Sequence, residues 1–388
     1  MNRISSVIIA CALGCITQSM LAQAATESVL YSFCNGECND GANPQAGLIR
    51  IKNQLYGTTT SGGIYDDGTV FSYNLKTGAE TALYSFGNGT DGQYPIGNMI
   101  NVAGTLYGTT YYGGTAGDGT VFSLNLATGV ETVLYSFCSQ QNCTDGESPR
   151  AKLVDVNGIL YGTTEAGGAN GNGIVFSVDP TSGAETVLHS FGGGTDGIEP
   201  HSGLLLDAGQ LYGTTVGGGA SGNGTVYSIN PLTGAESVFY SFAGGTDGAA
   251  PQAGLIKIGQ TLYGTTSSGG ASNFGTVFSL GRKTGVETIL HSFGLVPDGG
   301  YPLADLINVD GTLYGTTYLD GDKNSHGTVF AVDSQTGAET ILHNFCDTKF
   351  CEDGEQPPSG VVNVKGTLYG TTIYGGVNSE GILYSITP

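Results

Sequence analysis

The sequence predicts an all-β fold: a seven-bladed propeller of four-stranded blades, with the ring closed by the N-terminal strand joining the last blade. Three observations lead there. Tyr-Gly-Thr-Thr occurs seven times, at Tyr56, Tyr107, Tyr161, Tyr212, Tyr263, Tyr314 and Tyr369, with spacings of 51, 54, 51, 51, 51 and 55 residues. A fixed period near fifty with strand-like content marks stacked or radially arranged β units. Each unit holds four short β-branched and aromatic runs separated by glycine turns. Finally, the two ends of the array are complementary, as the elements show in order.

The N-terminal part opens with a lone strand, Glu27-Ser28-Val29-Leu30-Tyr31-Ser32-Phe33. A full unit then reads clearly between Ala253 and Phe293. Gly254 to Ile258 alternates as a first strand, and Thr261 to Thr266 is the second. A Gly-rich loop, Ser267 to Gly275, leads to Thr276-Val277-Phe278-Ser279-Leu280, and a Thr284-Gly285 turn precedes Glu287 to Phe293. The last unit stops at Leu383-Tyr384-Ser385-Ile386, one strand short. One spare strand in front and three behind make a seventh blade, which removes the open edge of an unclosed array.

In an up-and-down blade, the second-to-third loop and the blade-to-blade loop share one face. Both are long here and hold most of the variation between units, whereas the other face has only tight turns such as Asn157-Gly158 and Thr233-Gly234. Function is therefore expected on the long-loop face.

Met1-Asn2-Arg3, an apolar run from Ile4 to Ile16 and Ala22-Gln23-Ala24 read as a secretory signal cut after Ala24. The expected division is a signal peptide over 1–24 and a propeller over 25–388. No other run is apolar enough to span a bilayer. Ala12-Leu13-Gly14-Cys15 is similar to a lipoprotein processing site, but Ala12 stands where a larger aliphatic is usual, so free export is the expectation. The remaining six cysteines form three local pairs, Cys34 with Cys38, Cys138 with Cys143, and Cys346 with Cys351, read as small-loop disulfides of an oxidising compartment. With 33 acidic and 12 basic residues the net charge is −21, which argues against nucleic acid and anionic membrane surfaces. Glycine, 67 of 388 residues, sits at fixed turn positions rather than in a collagen period.

The unit Leu-Tyr-Gly-Thr-Thr, Gly-Gly, Gly-Thr-Val-Phe-Ser, Thr-Gly-x-Glu-Thr, Tyr-Ser-Phe resembles the GloVer tandem repeat of bacterial exported proteins, and the resemblance covers nearly the whole chain beyond the signal. It implies a surface or secreted protein and no particular reaction. The chain departs from anchored members by ending at Pro388 without a sorting tail, which favours free secretion. The Gly-Gly after the second strand is also similar to kelch blades.

Candidate site residues follow from comparing the units. The repeated Asp-Gly (Asp40, Asp91, Asp145, Asp196, Asp247, Asp298, Asp353) has two readings: a ring of Ca²⁺ ligands or, preferred, aspartates capping tight turns. No other cofactor is expected, and no metal-ligand set is assigned. His189, His291 and His343 replace the tyrosine of Leu-Tyr-Ser-Phe and read as packing residues with a polar tip. That leaves His201 and His326 on the long-loop face. His201 occupies a slot held elsewhere by Gln45, Ile96, Arg150, Gln252, Leu303 and Pro358. Glu165 occupies a second slot held by Thr60, Tyr111, Val216, Ser267, Tyr318 and Ile373. Arg150 with His201 could bind a carboxylate or move a proton, and Glu165 with Glu199 or Asp196 could form a glycosidase-type carboxylate pair. Catalytic candidates are thus Arg150, Glu165, Glu199 and His201. Ligand-binding candidates are Tyr111, Tyr112, Tyr318, Tyr374 and His326; tyrosine faces suit sugar rings, although the chain has no Trp, and blade packing is the rival reading of the tyrosines. Asp320, Asp322 and Lys323 share a loop with His326 that loosely resembles a ligand loop.

Three functions remain open on sequence: a monomeric exported propeller binding a ligand, foremost a glycan; a secreted polysaccharide lyase or glycoside hydrolase; and an extracellular protein-interaction scaffold. Near-uniform blades favour binding, and the clustering of unique polar residues in the third and fourth units keeps the enzyme alive.

Overall fold

The computed structural model describes residues 25–294, 297–319 and 326–388. The expected signal segment, with Cys15, and the loop residues Asp320, Asp322 and Lys323 lie outside the described residues. The described strands form seven antiparallel sheets in a ring. Blade 1 runs Ile49–Ile51, Gln54–Thr59, Thr69–Asn74 and Glu80–Ser85, from the axis outward. Blades 2 to 6 repeat this over 100–136, 154–190, 205–241, 256–292 and 307–344. Blade 7 consists of Val362–Val364, Thr367–Thr372 and Ile382–Thr387, completed by Thr26–Ser32. Its closing pair runs from Thr26 opposite Thr387 to Ser32 opposite Ile382. No helix among the described residues is long and apolar enough to cross a membrane.

The recurring motif is a joint between neighbouring strands and blades. The aromatic ring of the third strand lies flat across the motif's glycine: a Cβ on Gly264 would sit 2.8 Å from Phe278 Cζ, and one on Gly57 2.6 Å from Phe71 Cζ. Only glycine leaves room for that close approach. The first threonine reaches the next blade's inner segment, as Thr214 Oγ1 donates to the Ala253 carbonyl at 3.0 Å. The second ties the strand to its neighbour, with Thr266 Oγ1 2.8 Å from Thr276 Oγ1. The motif tyrosine turns toward the following blade, where Tyr161 packs with Phe191, Leu211 and Tyr227.

The core is accordingly divided among seven blade interfaces. Each contains an edge-to-face aromatic pair, from Phe33–Phe71 at 5.0 Å across the closing junction to Phe345–Tyr384, also at 5.0 Å. Such pairs prefer this offset because the ring edge is positive and the face negative. In five blades the third-strand member is Phe; in blades 4 and 7 it is Tyr227 and Tyr384, whose hydroxyls are buried without a hydrogen-bond partner. Burial pushes both phenols far above their usual range. A buried hydroxyl left unpaired costs about 1 kcal/mol or more. Tyr227→Phe is therefore expected to stabilise the protein by ~1 kcal/mol; a thermal melt showing a lower midpoint would contradict the assignment.

Candidate functional site: the axial cavity

The long Gly-Gly loops and the Asp-Gly-x-x-Pro loops do share one face, and they zip together there. Single backbone bridges, such as Ala249 with Ser268 and Ile198 with Gly217, join them in most blades. Blade 3 goes further. Glu147–Pro149 forms a fifth strand on the extended second strand Ile159–Ala166, with Pro149 opposite Thr164. Arg150 and Glu165 thus leave ordered strands side by side, just where the sequence is most individual.

The two variable slots form stacked rings around the axis. All seven residues of the first, Gln45, Ile96, Arg150, His201, Gln252, Leu303 and Pro358, line a cavity of about 360 Å³ together with Tyr318 and Ile373 of the second. Within a blade the slots face each other: Gln45 Nε2 donates to Thr60 Oγ1 at 3.4 Å, and Gln252 Nε2 to Ser267 Oγ at 3.1 Å. In blade 3 the same geometry becomes an ion pair, Arg150 Nη1 to Glu165 Oε2 at 3.1 Å, and His201 Nε2 of blade 4 approaches that same oxygen at 3.6 Å. The His201 side chain is 11% exposed, and neither ring nitrogen has a hydrogen-bond partner. Below this ring the chain carries Gly47, Asn98, Lys152, Gly203, Gly254, Asp305 and Gly360. Four glycines make space for three polar side chains. Asn98 Oδ1 accepts from Gly47 N at 2.5 Å, Asp305 Oδ1 accepts from Gly254 N at 2.6 Å, and Lys152 faces both the cavity and the wider channel beyond.

His201 and Arg150 hold the Glu165 carboxyl down at about 2, against the desolvation that would raise it. Such a group is an ionised anchor for Arg150 and His201. It lacks the proton that a glycosidase acid needs at neutral pH. Glu199 is not joined to it. That residue occupies a left-handed backbone slot (φ 56°), filled in other blades by Asn43, Tyr94, Ser148, Ala250, Tyr301 and Gln356, and its side chain is exposed outside the cavity lining. Asp196 is engaged elsewhere, by His189 and the Gly192 N–H.

Aromatic groups flank the cavity on two sides. Tyr111 is pushed up by burial, with the Glu165 carboxylate next in effect, and stands edge-on to Tyr112 at 4.6 Å. Tyr112 in turn meets Tyr94 at 5.7 Å. Across the axis, Tyr318 lines the cavity, donates to Gln356 Oε1 at 3.1 Å and neighbours the exposed Tyr374. His326 pairs through Nδ1 with Glu355 at 2.7 Å. The three cysteine pairs are disulfide-bonded in the blade-to-blade loops.

The Gloeobacter/Verrucomicrobia repeat profile matches residues 14–208 and again 170–384. The chain belongs to the Gloeobacter/Verrucomicrobia repeat family. No curated protein sequence matches it. This family member is similar in fold to several solved propellers. An oligogalacturonate lyase in complex with manganese is 14% identical at TM-score 0.58, over 94% of this chain and 90% of that one. The oligogalacturonate lyase of Vibrio parahaemolyticus is 11% identical at TM-score 0.57, over 93% of both chains. The extracellular domain of a B. thetaiotaomicron protein described as a hybrid two-component system is 10% identical at TM-score 0.59; 92% of this chain aligns to 39% of that one. At these identities the likeness is one of fold.

Sequence comparison located both rings but missed two features. The channel residues Asn98, Lys152 and Asp305 carried a readable signal, because their slot is glycine in the other four blades. Less accessible was the pairing of two separate repeats: the Tyr/His slot of one outer strand bonds the aspartate of the following Asp-Gly. Tyr84 Oη donates to Asp91 Oδ2 at 2.5 Å, Tyr240 Oη to Asp247 Oδ1 at 2.6 Å, and His291 Nε2 lies 2.9 Å from Asp298 Oδ1. The aspartates also cap their loops, as Asp91 Oδ1 accepts from Gly87 N at 3.0 Å. A glutamate at the start of the next blade's outer strand completes each junction.

At the four tyrosine junctions, burial first and the paired aspartate second raise Glu80, Glu131, Glu185 and Glu287 to about 7. These carboxyls bind protons more tightly folded than unfolded, so their contribution is complete below their ordinary value of 4.5 and lost as pH rises through 7. They are partly exposed, so solvent screening keeps each contribution below about 1 kcal/mol. The melting temperature, measured in EDTA, should therefore be a few degrees lower at pH 8 than at pH 5.5. A higher midpoint at pH 8 would be inconsistent with protonated junction glutamates.

Proposed function

We propose that the protein is an exported glycan-binding propeller whose axial cavity on the long-loop face takes a carboxylate-bearing sugar. The observation that carries this reading is His201: a nearly buried imidazole facing the cavity beside Arg150, with Nε2 3.6 Å from Glu165 and no hydrogen bond at either nitrogen. A polar group facing a cavity without a hydrogen bond is free to pair with a polar atom of a ligand. Arg150 and Lys152 supply charge for a carboxylate, and Arg150 presents a planar fork suited to one. Tyr318 in the cavity wall, with Tyr111, Tyr112 and Tyr374 in the neighbouring loops, supplies aromatic surface for adjoining sugar units. The net charge of −21 opposes long polyanions, which favours short oligosaccharides or chain ends.

A second reading is a lyase on the same ligand. An imidazole next to an arginine could take a proton from a uronate whose carboxylate the arginine neutralises. Two fold neighbours are oligogalacturonate lyases, so a propeller of this size can handle such sugars. The hydrolase reading is weaker, because Glu165 is held ionised and Glu199 stands apart.

The test is titration of the mature chain with oligouronides and with matched neutral oligosaccharides, while product ends are followed. Binding restricted to the acidic set supports the proposal, and unsaturated ends would add the lyase. Equal or absent binding across both sets would sink the carboxylate assignment.

A further inference from the structure

The seven blade junctions are copies of one arrangement, and three of them differ by a single residue. Four junctions join a tyrosine hydroxyl to an aspartate and a glutamate; Tyr84 Oη, for example, lies 2.5 Å from Asp91 and 3.5 Å from Glu131. Where histidine replaces tyrosine, the phenol's proton donor gives way to an imidazole nitrogen, a far better metal ligand. At the junction of blades 3 and 4, His189 Nε2 and carboxylate oxygens of Asp196 and Glu236 all lie within 4.8 Å of one another; His291, Asp298 and Glu339 do the same between blades 5 and 6. His189 Nε2 is 3.1 Å from Asp196 Oδ1, and His291 Nε2 is 2.9 Å from Asp298 Oδ1. Two ligands of one ion with bonds of ~2.0–2.2 Å are roughly 3.4 Å apart in a tetrahedral site, so little movement is needed. Glu236 and Glu339 each hold a buried Oε1 that has no hydrogen-bond partner, as do the equivalent glutamates of the other five junctions, so it is the histidine that sets these two apart. The His and Asp side chains remain about one-fifth exposed, which leaves an entry path and a place for water as a fourth ligand.

We infer that these two junctions are divalent transition-metal sites, each clamping two adjacent blades through one imidazole and two carboxylates, with Zn²⁺ the best-suited ion. The donor set is too nitrogenous for a Ca²⁺ site and too rich in oxygen for a soft ion. The third histidine junction provides an internal control. There Asp353 is taken up by Thr348 Oγ1 and two backbone N–H groups, and the ligand atoms of His343, Asp353 and Glu27 are not gathered in the same way among the described residues.

Tyrosine is the fold's own residue at this slot, so His→Tyr exchanges test the sites without disturbing the blades. The untagged mature chain, stripped with EDTA, would be titrated with Zn²⁺ calorimetrically and with Co²⁺ by visible absorption, and melted with and without metal. We expect two equivalents bound, a melting temperature raised by several degrees, one equivalent in H189Y or H291Y, none in H189Y/H291Y, and two in H343Y. A stripped wild-type chain that binds no stoichiometric metal would overturn the inference. So would a double variant that still binds two equivalents.

Discussion

Gly264→Ala should lower stability by ~3 kcal/mol, the upper range for overpacking a tight core. The new methyl would lie 2.8 Å from Phe278 Cζ and 2.9 Å from Leu255 Cδ2, distances that real Cβ contacts do not reach. Neither neighbour can retreat easily, since both are buried in the interface between blades 4 and 5. Backbone conformation is not the cause, because this glycine sits in an ordinary strand, Thr261–Thr266. A control separates the two effects. Gly285 adopts φ +65° in a turn with nothing within 4 Å of a new Cβ, so Gly285→Ala should cost only the left-handed penalty of about 1–2 kcal/mol. Chemical denaturation of the two variants gives the comparison directly. If Gly285→Ala proved the more damaging, the ring-over-glycine account of the repeated motif would be wrong.

The second large effect concerns the cavity. Arg150→Ala should weaken binding of an acidic oligosaccharide about 10- to 100-fold, the worth of a charge-assisted hydrogen bond of ~1.5–3 kcal/mol. It should also cost some stability, because Glu165 loses its partner at 3.1 Å. His201→Ala should weaken binding comparably at a smaller cost in stability than Arg150→Ala, since the imidazole lies 3.6 Å from Glu165 Oε2 and makes no hydrogen bond there. That split between affinity and stability is the informative result. Gln45→Ala, on another part of the same ring, should change affinity only a few-fold. If all three variants bound like the parent, the ligand would have to sit elsewhere on the face.

The architecture was legible because each repeat position has a single structural job. Tyr-Gly-Thr-Thr, the Phe of Tyr-Ser-Phe and the Thr-Gly turns recur with the blade, so periodicity alone gave the blade count, the strand order and the closing strand. Aligning the units also separated Arg150, His201 and Glu165 from their neighbours, and the fold brings those three together. Glu199 shows where the approach stops. It looked unusual by residue type, but its slot is set by backbone conformation, which accepts Asn, Tyr, Ser, Ala or Gln equally in the other blades. The Tyr/His–Asp–Glu junctions escaped for the opposite reason. Their members come from three separate segments, and each looked fully explained by its own local role.

The pairing of Thr26–Ser32 with Ile382–Thr387 has a kinetic consequence. It is a contact between residues almost the whole chain apart, whereas every other blade is completed by strands close together in sequence. Formation of non-local pairings is slow, because the loop entropy is lost before any contact compensates for it. Six blades can therefore assemble in succession along the chain, while the seventh waits for the final strand. Until then the strand Thr26–Ser32 and the outer edge of Thr367–Thr372 are both unpaired, and a second unfinished chain presents the same two. Whatever delays the last strand thus sets how long the molecule can be captured by its own copies, and deletion of Thr26–Ser32 should raise the fraction of edge-paired aggregate.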